Sequence, residues 1–142
     1  MPNNLKQLIE GQIQQLETLQ VQLDTELHLI SAREPESLMK LVEEKAHNLD
    51  DIAQTDTQIK HLYQKTDDAD LKAELEPLFD KAHALVEECK YRTEINQRAI
   101  EQGQLRLTHL KNLLLESRAK ESMTYDKSGR PKGGMSGPSI EA

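Results

Sequence analysis

Leucine and isoleucine recur at steps of three and four residues from Leu5 and Ile9 through Leu16, Leu19, Leu23 and Leu27 to Ile30. Gln12 fills the one missing place. Residues so spaced share one face of a helix, and the 3.5-residue period is that of a seam between helices. The pattern predicts a first helix from about Leu5 to Ala32, with Gly11 a mild weakness near its start. Glu34-Pro35 ends it and opens the next, because proline disfavours helix before itself and is tolerated in a first turn. A second seam follows in Leu38, Val42, Leu49, Ile52, Ile59 and Tyr63, with Lys45 and Asp56 at in-register places.

Thr66 to Asp70 reads as a turn, with Asp70 the expected N-cap of a third helix. That helix meets Pro77, where a kink or restart is expected. Its seam is Leu78 or Phe79, Ala82, Leu85 or Val86, Cys89, Asn96, Ile100 and Leu107, and helical patterning continues to about Ser122. Polar seam residues such as Asn96 cost stability and fix register. Aromatics make up only 3% of the chain and hydrophobic residues 36%, too little bulk for a thick core. The expected fold is all-α: an elongated antiparallel three-helix bundle over residues 1–122, then a flexible glycine- and proline-bearing tail over 123–142.

The helix lengths do not balance. The first two have about 30 residues each, or ~45 Å, and the third about 50, or ~75 Å. A third helix folding back from the turn outlasts its neighbours near Gly103. It then either projects beyond the bundle or bends there and packs back as a fourth segment. The excess is not polar: it holds Leu105, Leu107, Leu110, Leu113, Leu114 and Leu115. Leu107, Leu110 and Leu114 share a face, with Leu113 beside it and Ile100 before it. Each leucine gains roughly 1.5–3 kcal/mol on full burial, so this stripe calls for a partner: a client protein or a second copy of the chain.

Chemistry finds little footing. The net charge of -7, without a basic stripe, argues against nucleic acid. A lone cysteine suits a reducing compartment. No stretch approaches the ~20 apolar residues of a membrane span, and Met1 to Asn4 lacks a leader's basic and apolar regions, so the chain reads as cytosolic. Glu44-x-x-His47 and Asp80-x-x-His83 have the spacing of di-iron bundle ligands. However, the helical register sets Asp80 opposite residue 56 rather than 44, and no metal bridges the gap. His28, His61 and His109 read as surface residues, and Cys89 as a small core residue. No catalytic residue and no cofactor is expected. Tyr125, an aromatic on the tail of a chain almost without aromatics, is a candidate interface anchor.

These features together resemble the FlgN family of flagellar type III export chaperones. The likeness is carried by Leu16, Leu19 and Leu23 followed by Glu26; by Glu36-Ser37-Leu38 followed by Glu44-Lys45; by Asn96 with Ile100; and by Tyr125-Asp126-Lys127-Ser128-Gly129-Arg130. The resemblance implies a non-enzymatic protein that binds the C-terminal region of hook-associated proteins, the subunits of the hook–filament junction. It would prevent their premature assembly and deliver them to the membrane export gate without nucleotide or metal. Client binding would then fall to Ile100, Leu107, Leu110, Leu113 and Leu114, and docking on the gate's cytoplasmic domain to Tyr125. The alternative is a coiled coil that only self-associates, as a tether.

Overall fold

The structure, a computed structural model, describes the backbone of residues 2–127 and the side chains of residues 4–120. Three helices follow one another: α1 (Pro2–Ala32), α2 (Pro35–Gln64) and α3 (Ala69–Lys127). Among the described residues there is no strand. The all-α bundle expected from the periodicity is the fold found. Its described residues fall into two compact units, within Met1–Ala99 and Ile100–Ala142.

In the first unit, α1 ends as the Glu-Pro pair foretells. Arg33 takes a left-handed φ of 57°, and its N–H donates to the Ile30 carbonyl. The Glu34 N–H reaches back to Leu29, so two orphan carbonyls are satisfied before Pro35 opens α2. The second turn differs from expectation in one residue. Asp68, not Asp70, caps α3: its Oδ1 accepts the N–H groups of Asp70 and Leu71 at 3.0 and 3.2 Å. A capping oxygen must precede the first helical residue, and α3 begins at Ala69, which puts Asp70 inside the first turn.

The packing of the first unit follows from its cross-helix bonds. α1 and α2 run antiparallel, with Glu26 meeting Lys45 and Gln15 meeting Asn48. α1 and α3 run parallel, since Leu16 meets Cys89 and Leu23 meets Asn96 at the same offset of 73 residues. Leu5, Ile9, Ile13 and Leu16 pack with Ile59 of α2 and with Leu75 and Ala82 of α3. Tyr63 and Phe79 close this end edge-to-face, 5.5 Å apart. Farther along, Leu19 and Leu23 meet Cys89, with Ile52 against them. Ala82 and Cys89 are small, which lets α3 lie close against the large α1 side chains.

The seams were placed correctly over most of their length, and they shift at the end away from the α2–α3 turn. Leu27 and Ile30 are only half-buried, while Glu26 and Leu29 take the inward places. On α2, Leu41 is buried, whereas the expected seam residues Val42 and, in mid-helix, Leu49 are both exposed. Glu26 turns inward because it has polar partners on both other helices, as described below.

α3 neither restarts at Pro77 nor breaks at Gly103. Pro77 removes one N–H and so leaves the Ala73 carbonyl without its helical donor, but both residues are exposed and water can serve instead. At Gly103 the helix forgoes only about 1 kcal/mol of propensity, and its long helix-forming flanks absorb it. α3 thus runs through Gly103 as one unbroken helix, where a bend had been one of two expectations. The helix also continues to Lys127, past the point where the apolar pattern stops.

Candidate partner-binding surface

The sequence around residues 100–120 alternates leucine with Gln, Arg, Lys, Glu and Ala, all good helix formers, so the helix persists without a tertiary core. Along it, Leu107 is 68% exposed and Leu113, the least exposed of the proposed leucines, 47%. Leu105, Leu110 and Leu114 lie between or near these values, Ile100 is exposed to 38%, and Leu115 is half-buried. The five candidates Ile100, Leu107, Leu110, Leu113 and Leu114 thus all belong to the second unit and are all open to solvent.

Their order is that of a seam. Ile100, Leu107 and Leu114 repeat every seven residues, with Leu110 at the intermediate place. A helix of complementary pattern can seat side chains between them. Lys111 and Arg118 each lie four residues after a stripe leucine, about 40° around the helix, whereas Glu116 falls about 180° from Leu107. The stripe is therefore flanked by positive charge. Tyr125 lies in the helical backbone of α3, but its side chain, like residues 128–142 with Gly129 and Arg130, lies outside the described residues.

The first unit holds a polar cluster that seam logic only half foresaw. Lys45 Nζ donates to Glu26 Oε2 at 2.6 Å, and Asn96 Nδ2 donates to Glu26 Oε1 at 2.8 Å. The same Asn96 amide also donates to the Leu23 carbonyl at 2.9 Å. Glu26 is only 6% exposed and Asn96 3%. One carboxylate thereby ties α2 and α3 to α1 at a single level. Lys45 and Asn96 stood out as polar seam residues, but Glu26 did not, because the neighbouring Leu27 took its place in the apolar spacing, although positions 19, 23, 26 and 30 keep the strict alternation of four and three. The usable signal was that a buried lysine and asparagine both need an acceptor.

The residues that resemble chemical sites are dispersed. Glu44, His47, Asp80 and His83 are all exposed, as are His28, His61 and His109. Among the described residues no three His, Cys, Asp or Glu side chains gather where they could hold a metal. The register that set Asp80 opposite residue 56 agrees with the packing, since Asp56, Phe79 and His83 line one hollow. No described helix is long and apolar enough to cross a membrane.

Cys89 is buried, with its sulfur 3.7 Å from the Leu16 carbonyl oxygen. Burial raises its pKa and outweighs the opposing pull of Arg92, with Glu88 and Asp24 adding to the rise. The folded state therefore holds the proton more tightly than the unfolded state does. That contribution to stability is complete below the ordinary thiol range and is lost as pH climbs through the raised value. Iodoacetamide at pH 8 is expected to alkylate Cys89 much more slowly in the folded protein than in denaturant. Equal rates would contradict the burial.

A family model described as FlgN protein matches residues 1–133 of the chain. No curated protein and no solved structure matches it.

Proposed function

The chain belongs to the FlgN family of flagellar export chaperones, and from that premise we propose that it holds hook-associated proteins in the cytoplasm before their export. The observation that carries this reading is the solvent-exposed seam Ile100, Leu107, Leu110 and Leu114 with Leu113 beside it. The C-terminal segment of the client lies on that stripe as an amphipathic helix, burying leucines that otherwise face water. Occupied in this way, the client's segment is withheld from premature assembly. Lys111 and Arg118 beside the stripe select a client face that carries acids.

Holding needs no bond making. The chaperone family is not an enzyme family, and holding a client in this way calls on no catalytic residue, nucleotide or metal. Release occurs at the export gate, where Tyr125 docks on the cytoplasmic domain of the gate protein. The support for that role is the Tyr125-to-Arg130 segment, which lies within the matched residues 1–133.

The test is a binding titration of the purified chain against a full-length hook-associated protein and a version lacking its C-terminal segment. Binding only to the full-length form is expected. Equal binding to both would move the contact elsewhere on the client and sink the proposed mode. A second measurement separates capture from delivery. Tyr125→Ala is expected to reduce gate docking and motility while leaving client affinity within about twofold, because the change lies outside the leucine stripe. An equal loss of client affinity would place Tyr125 in the client site instead.

A further inference from the structure

Besides the stripe, the structure leaves a second apolar surface open, and it lies wholly in the first unit. Between α2 and α3 three adjoining hollows share lining residues and form one groove. Leu16 and Leu19 of α1 make its floor, with Leu49 and Ile52 on one wall and Val86 on the other. It continues past Asp56 and Phe79 to Tyr63. A bundle whose outer helices part over a leucine floor has a vacant position for one more helix.

We propose that this groove is a self-association site that takes the Ile100–Leu114 stripe of a second copy of the chain. Three observations select that occupant. The first is length: the groove from Leu49 to Tyr63 and the stripe from Ile100 to Leu114 each cover about 21 Å of helix. The second is charge. Asp80, Glu87 and Glu94 stand seven residues apart on α3 and are exposed; Glu94 and Asp56 line the groove, together with Lys90 and Lys60. Lys111 and Arg118 stand at the same seven-residue interval beside the stripe. Rows of opposite charge in matched register flanking an apolar seam are the arrangement that sets pairing between helices. The exposed Glu87–Lys90 pair at 3.5 Å is a weak competitor.

The third observation is the distribution of charge along the chain. Residues 100–142 carry more Lys and Arg than Asp and Glu, so the acidic excess of the whole chain resides in residues 1–99. Each copy offers one groove and one stripe. A two-fold exchange buries both grooves and both stripes, whereas one-way pairing would leave open ends. The stripe seats one occupant at a time, so this pairing belongs to the client-free chain and a client competes with it.

Charge exchange tests the pairing directly, because all four residues involved are exposed and folding is not at stake. In sedimentation of the full chain, Lys111→Glu with Arg118→Glu is expected to weaken dimerisation at least about tenfold. Glu87→Lys with Glu94→Lys should do the same, and all four changes together should restore it. A wild-type chain monomeric at its highest soluble concentration overturns the proposal, as does a fourfold variant no better than either double. A photo-crosslinker at Leu110, in a mixture of isotopically light and heavy chains, supplies the second readout. Crosslinks between copies at Leu49, Ile52 or Val86 are expected. Crosslinks within one copy, or from stripe to stripe, overturn it.

Discussion

Replacing Leu110 and Leu114 together by aspartate is expected to weaken client binding by at least about a hundredfold. Each leucine loses roughly 1.5–3 kcal/mol of burial in the complex, and each new carboxylate must be desolvated if the client is still to close over it. Two such losses give about 3–6 kcal/mol, and every 1.4 kcal/mol is tenfold in affinity. In a single copy of the chain both positions are exposed, so the substitutions create no cavity. Their cost there is a few tenths of a kcal/mol of helix propensity each. Circular dichroism should therefore change little while the binding isotherm flattens. Retained affinity would remove the stripe from the client site.

The second large effect is on stability. Glu26→Ala is expected to cost about 2–4 kcal/mol, because it removes the acceptor shared by Lys45 and Asn96. Asn96 is buried and cannot recruit water freely, whereas the Lys45 side chain is 21% exposed and can partly escape. That difference places the effect below the upper end for a broken buried pair. For a unit of about 100 residues it corresponds to a fall in Tm of roughly 10–20 °C. Joint replacement by Glu26→Leu, Lys45→Met and Asn96→Leu should recover most of the loss, since no buried polar group is then left unpaired. A thermal melt of Glu26→Ala within 3 °C of wild type, an order-of-magnitude threshold of under about 1 kcal/mol, would contradict this role.

The helices were legible because seam spacing is a direct record of which face is buried. Leu5, Ile9, Leu16, Leu19 and Leu23 read true on α1, and so did the polar seam place at Gln12. Pro35 could be placed because only a first turn suits it. The cap was less legible: Asp67, Asp68 and Asp70 all offer the same oxygen, and only the start of the helix chooses among them.

Glu26 was missed because periodicity counts apolar residues, and a charged one enters the core only when its partners on other helices meet it. Leu41 displaced Val42 at the same end of the bundle, where the apolar core gives way to the polar cluster. The groove could not be read at all. Spacing along α2 and α3 states which residues face inward, but not how far apart the two helices stand over α1. The exposed stripe was visible, by contrast, because its leucines continue after the first two helices have run out of sequence.

Hydrogen exchange of the full-length chain, dilute enough to be monomeric, with and without a saturating hook-associated protein, reads where the client is held. The amides of about residues 104–117 are expected to be the most strongly protected on binding, since the client covers that stretch of α3 and slows its local opening. Protection confined to α1 and α2, with residues 104–117 exchanging as in the free chain, would contradict the claim that the leucine stripe is where the client is held.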